Sequence, residues 1–262
     1  MANFCLMIQY DGTRYNGWQR QGNTSNTIQE KLETILEQLY GEPVDLNGSG
    51  RTDAGVHALR QIANFRIPRI LSRYSCQKIQ DYFNQYLPQD IRVLAVEQVP
   101  ERFHARLSAS SKLYEYRIDC GEVANVFQRR YLLRVEDKLN LEHMREAADL
   151  LTGTHDFKSF CANRHMKKST VRTIYEIAIE ENDGILSIRY HGDGFLYNMV
   201  RILTGTLLEV GLGDRSLPEV RLKGKTARWQ DSPRRRRDYF WWMCFIRRRK
   251  KSVHYNTYLS LR

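Results

Sequence analysis

The sequence predicts an α+β fold in two halves, and three observations lead there. Short strand-like runs interleave with helix-period segments throughout residues 1–221. The same strand and helix grammar begins again after about residue 107, as in a split α+β unit. No apolar run approaches the ~18 residues of a membrane span.

Phe4 to Tyr10 is apolar and stops at Asp11-Gly12, a strand running into a turn. Thr27 and Glu30 have capping-box spacing, and Ile28, Leu32, Ile35, Leu36 and Leu39 follow on one helical face. Val44 to Leu46 reads as a short strand entering a glycine-rich stretch. Gln61 to Ile67 is a strand ended by Pro68, residues 72–86 are helical, and Ile91 to Val99 is a strand. In the second half, Leu113 to Ile118 alternates as a strand. Residues 140–151 form an amphipathic helix with Leu141, Met144, Ala148 and Leu151 inward. Thr173 to Glu180 and Ile185 to His191 pair as a hairpin around Asn182-Asp183-Gly184. Residues 195–209 are helical, with Gly211 just past the end. The expected units are residues 1–107, residues 108–221 and an atypical tail, 222–262.

The 262 residues carry 41 Lys+Arg against 30 Asp+Glu, a formal net charge of +11. A strong positive balance points to a polyanion such as nucleic acid. The excess, however, sits wholly in residues 222–262, which hold 13 Lys+Arg and 2 Asp+Glu, leaving 28 of each sign in residues 1–221. Five scattered cysteines, an odd number with no CxxC pair, argue against a disulfide framework or a zinc site and for a reducing cytoplasm. The N-terminal residues lack the basic region, apolar stretch and cleavage site of a signal peptide.

Gly48-Ser49-Gly50-Arg51-Thr52-Asp53-Ala54-Gly55-Val56-His57 is the most informative stretch. Its glycines permit tight turns and close approach of another molecule. It is not a phosphate loop, because no Gly-Lys-Ser/Thr follows. An arginine two residues from an aspartate is, taken generically, a surface ion pair. The whole string is far more specific and resembles the signature of the TruA family of tRNA pseudouridine synthases. Further matches stand in family order. They are Tyr10-Asp11-Gly12-Thr13 with Gly17-Trp18-Gln19-Arg20-Gln21, Thr27-Ile28-Gln29-Glu30, residues 84–91 (NQYLPQDI) and Phe103-His104-Ala105-Arg106. Lys112-x-Tyr114-x-Tyr116, Asp156-Phe157-x-Ser159-Phe160 and Phe195 to Arg201 follow. The resemblance runs from about residue 4 to 221.

That resemblance implies antiparallel sheets flanked by helices, with a cleft between the halves holding Asp53. It implies a homodimer whose two subunits share one tRNA, and isomerisation of uridine at positions 38, 39 and 40 of the anticodon arm. The reaction breaks the N1–C1′ bond and joins C5 to C1′, with no redox step, cofactor or metal. It needs a nucleophile or anionic stabiliser near C1′ or C6, and a carboxylate serves either purpose. The resemblance gives that role to Asp53. Arg51 is the expected ion partner that keeps Asp53 ionised and helps displace the base. Tyr114 matches the family's active-site tyrosine, placed to stack on uracil and relay the proton lost from C5. Arg106, Lys112 and Arg201 are expected substrate contacts, with Arg201 supporting Asp53 or a phosphate. Arg14, Arg20, Lys31, Arg102, Lys167, Lys168 and Arg172 are candidates for an RNA groove. His57 and His104 have no partner at ligand spacing and read as turn or groove residues.

The tail departs from the family after Arg221. Reading its codons one base upstream allows residues 238–246 to be Gly-Leu-Phe-Leu-Val-Asp-Val-Phe-Tyr, with Leu open at 240 and 245 and His at 246, a closing strand of the family's type. Residues from about 222 onward therefore read as a frameshifted translation, and poor order is expected there. An added RNA-binding arm of Arg runs and aromatics competes with this reading. So does a non-catalytic RNA-binding protein with a degraded C-terminal half. A glycoside hydrolase would need a second acid near the motif, which is lacking.

Overall fold

The computed structural model of the protein describes residues 1–163, 165–220 and 240–246. The first half contains β1 (Ala2–Tyr10), α1 (Ile28–Tyr40), β2 (Leu46–Gly48), β3 (Ala58–Ile67), α2 (Cys76–Tyr86) and β4 (Ile91–Val99). β1 lies between β3 and β4, antiparallel to both. Phe4, Leu6, Ile8 and Tyr10 alternate inward along β1 and are buried with Ile28, Leu32 and Leu36 of α1 and Ile79 and Phe83 of α2. This is the period-2 strand pattern meeting the period-3.6 helix pattern across one core. The Thr27 side chain accepts from the Glu30 N–H, and Gly41, at φ +77°, ends α1 in the left-handed conformation that glycine adopts without strain.

The second half contains β5 (Ala109–Asp119), β6 (Leu133–Arg134), α3 (Leu141–Leu151), β7 (Gly153–Asp156), β8 (Val171–Asn182), β9 (Ile185–Gly192), α4 (Met199–Gly211) and α5 (Leu217–Val220). β8 and β9 form the expected hairpin, and β9 pairs antiparallel with β5. A second core gathers Ile188 and Tyr190 of β9 with Met144 of α3 and Leu203 and Leu207 of α4. Val56, from the glycine-rich motif of the first half, is buried in this second core.

A final strand, β10 (Phe240–Ile246), stands between the halves. The strand order is β4-β1-β3-β10-β5-β9-β8-β7, with β2 on β3 and β6 on β5. β10 pairs along its length with β5, antiparallel, and meets β3 at one parallel register pair, Met243 with Arg60. The fold is therefore α+β, two mainly antiparallel sheets joined edge to edge through β10, with β6 parallel to β5.

Two expectations need correction. The α4 helix begins at Met199 rather than residue 195, because Asn198 sits at φ +57° and breaks helical geometry. Gly211 is its last residue, and Gly213 at φ +80° provides the left-handed turn beyond it. Poor order was expected across the tail, yet seven of its residues form β10. Their apolar, aromatic-rich sequence suits a strand, and β3 and β5 would otherwise leave edges unpaired. The tail expectations for residues 222–239 and 247–262 lie outside the described residues.

Candidate active site

The Asp53 loop is fixed by backbone contacts at nearly every residue. The Ser49 N–H donates to the Ile62 carbonyl at 2.8 Å, and the Gln61 amide donates to the Gly50 carbonyl at 3.1 Å. The Trp18 N–H donates to the Thr52 carbonyl at 3.0 Å, and the Val56 N–H closes the turn on the Asp53 carbonyl at 3.2 Å. Three glycines let neighbouring chain press against this loop. A Cβ on Gly12 would stand 2.0 Å from the Val56 carbonyl oxygen, and one on Gly17 2.5 Å from that of Thr52. One on Gly48 would stand 2.5 Å from the Trp18 indole nitrogen.

Beneath the loop lies Tyr10. Its buried phenol donates to the Gln61 side-chain oxygen at 2.7 Å and accepts from the Thr52 hydroxyl at 2.9 Å. Burial holds this phenol protonated, far above its ordinary range, and the nearby Tyr114 acts in the same direction. Thr52 points inward while Arg51 and Asp53 on either side of it are exposed. The alternation puts both charged side chains on the open side of the loop.

Arg51 and Asp53 are not joined. The Asp53 carboxylate makes no ion pair with any of the described residues, Arg51 and Arg201 included. The expectation that Arg51 or Arg201 supports Asp53 directly is corrected accordingly. Two solvated side chains gain about 0–1 kcal/mol by pairing and lose rotamer freedom in doing so.

Tyr114 is half-buried on β5, with its ring edge-on to Phe195 at 5.0 Å between centroids. In the sheet it stands opposite Tyr190 of β9 and Trp242 of β10. Tyr114 packs against the second core, which also holds Val56 of the Asp53 loop, and against Ile62 and Ala105. Lys112 is half-buried two residues earlier on β5, and Arg201 is half-buried in the first turn of α4. Arg106 is exposed next to Ala105, whose N–H donates to Asn64 at 2.8 Å. Asn64 and Asn3 bond each other, and Asn3 also donates to the Phe103 carbonyl, so an amide pair anchors this turn. Two proposed groove residues are engaged elsewhere, Arg14 with Asp90 at 2.6 Å and Arg20 with Glu33 at 3.1 Å.

His57 is the residue whose setting the sequence hid. It is 1% exposed, with Nδ1 2.9 Å from Asp11 Oδ1 and 3.2 Å from the Gly12 N–H. The Tyr131 hydroxyl donates to Asp11 Oδ2 at 2.7 Å, and its ring lies 5.2 Å from the imidazole. Burial pushes the His57 pKa below its ordinary range, against a smaller upward pull from Asp11. Burial alone would raise the Asp11 carboxyl, but bonds from Thr13 and Tyr131 and the adjacent His57 bring it below the usual range. Capping-box and strand patterns could not reveal this cluster, since its members lie up to 120 residues apart.

Among the described residues no group of His, Cys, Asp or Glu converges to hold a metal ion, and no helix is long and apolar enough to cross a membrane.

A carboxylate held out from a rigid loop is equipped to act as a nucleophile. Comparison with known proteins identifies the family. A family model described as tRNA pseudouridine synthase matches residues 6–107 and 147–231, the second stretch running past Arg221. A tRNA pseudouridine synthase A of Bacillus sp. strain KSM-64 is 48% identical over 220 residues, covering 84% of this chain and 89% of the relative. A tRNA pseudouridine synthase A 2 of Bacillus anthracis is 46% identical over 223 residues, covering 84% and 90%. A tRNA pseudouridine synthase A 1 of Clostridium tetani is 47% identical over 211 residues, covering 80% and 85%. The chain belongs to the tRNA pseudouridine synthase family, whose members are isomerases acting on tRNA.

Proposed function

We propose that this chain converts uridine to pseudouridine at positions 38, 39 and 40 of the tRNA anticodon arm, with Asp53 as the nucleophile. The observation that carries the reading is the exposed Asp53 carboxylate on a loop locked from below by Tyr10, Gln61 and Trp18. Preorganisation of this kind converts positioning into rate. The carboxylate attacks C1′ or C6, the N1–C1′ bond breaks, and the uracil turns. C5 then bonds C1′, the bond to Asp53 breaks with its electron pair returning to the carboxylate, C5 loses its proton and N1 gains one, so no atom enters or leaves overall. Arg51, exposed and not held by Asp53, is placed to fill the stack the base vacates or to meet a phosphate. Tyr114 supplies a face for the uracil and a phenol to relay the C5 proton. Arg106, Lys112 and Arg201 contribute cationic contacts to the arm.

The same reading takes the working enzyme as a cytoplasmic homodimer, with residues 1–107 and 108–221 as its two units. It takes residues from about 222 onward as a shifted reading of the gene, and resequencing decides that point. One missing or extra base near codon 222 is the expected result, and related genes encoding the same tail intact would refute it.

Site choice is tested with tRNA transcripts in which the uridines at 38, 39 and 40 are replaced by cytidine, analysed by mass spectrometry after cyanoethylation. Pseudouridine is expected only in the unaltered transcript. Modification at other positions in the substituted transcript would overturn the assignment.

A further inference from the structure

We propose that Asp11, His57 and Tyr131 form a positioning clamp that sets where the Asp53 loop stands, with Tyr131 tying the second half of the molecule to the loop of the first. The proposal rests on the isomerase reading above for its rate consequence, and on geometry alone for its structural one.

The geometry runs through a continuous chain of contacts. Tyr131, which follows β5, donates to Asp11 Oδ2 at 2.7 Å and packs its ring against His57 at 5.2 Å. Asp11 Oδ1 holds His57 Nδ1 at 2.9 Å while also accepting from the Thr13 N–H at 2.9 Å. Nδ1 has an ionised acceptor at 2.9 Å and a backbone donor, the Gly12 N–H, at 3.2 Å. The shorter, charge-assisted contact assigns the ring proton to Nδ1, donated to Asp11. His57 follows Val56, whose carbonyl lies under Gly12 and whose N–H closes the Asp53 turn at 3.2 Å. Val56 itself is buried in the second core, so the loop is held on both sides of the junction.

A displacement at Tyr131 therefore reaches Asp53 through Asp11, His57 and Val56, all of them packed or bonded. None of the three clamp residues needs to touch substrate. Their role is positioning, and it has signatures that a simple loss of stability lacks.

Three variants separate the contributions in the full-length chain. Tyr131→Phe keeps the ring on His57 and removes only the bond to Asp11. His57→Leu removes the donor to Asp11, and His57→Asn keeps an amide N–H close to where Nδ1–H stands. Hydrogen exchange is read at residues 51–57, with kcat and KM measured on full-length tRNA. Tyr131→Phe and His57→Leu are expected to speed exchange at Gly55 and Val56 while α1 stays protected. They should lower kcat about 10- to 100-fold at unchanged KM, and His57→Asn should recover most of that loss. Unchanged exchange at 51–57 in both variants would overturn the clamp, as would a kcat loss that follows the amount of folded protein and is not recovered by His57→Asn. If the wild-type chain modifies no tRNA, the functional reading fails by itself, and the exchange data still decide the clamp.

Discussion

Gly12 and Val56 meet backbone to backbone, so closely that a single added methyl on Gly12 would stand 2.0 Å from the Val56 carbonyl oxygen. This contact seats the turn that carries Asp53, and neither partner can retreat along a flexible side chain. Gly12→Ala is expected to destabilise the protein by about 3 kcal/mol or more, or to push the loop aside. Gly55→Ala offers a contrast. Its φ of +81° strains any side chain, yet nothing lies within 4 Å, so the cost should be about 1–2 kcal/mol. Urea midpoints of the two variants check the ordering.

Tyr114 separates binding from proton transfer. Tyr114→Phe preserves the ring that meets Phe195 edge-on and removes the phenol. It is expected to keep tRNA affinity and to slow turnover about 10²–10⁴-fold, the range of a lost general acid or base. Tyr114→Ala should lose the stacking face as well, worth about 1–3 kcal/mol in affinity. Filter binding and single-turnover rates distinguish the two.

Stability should decline on acidification in two stages. His57 has a folded pKa depressed below its ordinary 6.5 by burial, with Asp11 opposing. A depressed folded value favours the neutral form, so its contribution is complete above 6.5 and is lost as pH falls through the folded value. His191, lowered by its own burial against an upward pull from Glu176, adds the same sign. Asp11, also depressed, adds a second loss below its ordinary 3.8. Chemical denaturation across pH 4 to 8 should show His57→Asn with a shallower slope below 6.5, and a slope unchanged from wild type would contradict the assignment.

β10 joins the halves, pairing with β5 along its length and with β3 at Met243 and Arg60. Met243→Pro removes a ladder donor from the centre of that strand. It is expected to cost about 1–3 kcal/mol and to loosen the region beside Tyr114, read as faster hydrogen exchange along β5.

Much of this molecule is legible in the sequence because its signals are local. β4 runs from Ile91 to Val99, the bounds expected of it, and α1 follows its Thr27 cap. The motif around Asp53 points to the site because chain packs closely on it, Trp18 against Gly48, Gly12 against Val56 and Gly17 against Thr52. What escapes is carried by distant pairs. His57 looks like any turn histidine until Asp11 and Tyr131 surround it. The Arg51–Asp53 pair, inferred from spacing, fails because two exposed charges on an open loop have little to gain from each other. β10 was hidden for another reason. Its residues depart from the family pattern, but they stay apolar and β-favouring, and the gap between β3 and β5 accepts them.

The most direct measurement is tritium release from tRNA labelled at uracil C5, with the wild-type chain and Asp53→Ala side by side. Release by the wild type, and none by a variant that still binds tRNA and unfolds at the same midpoint, is the predicted result. Release by Asp53→Ala at the wild-type rate, or a wild-type chain that binds tRNA and releases nothing, would contradict the account.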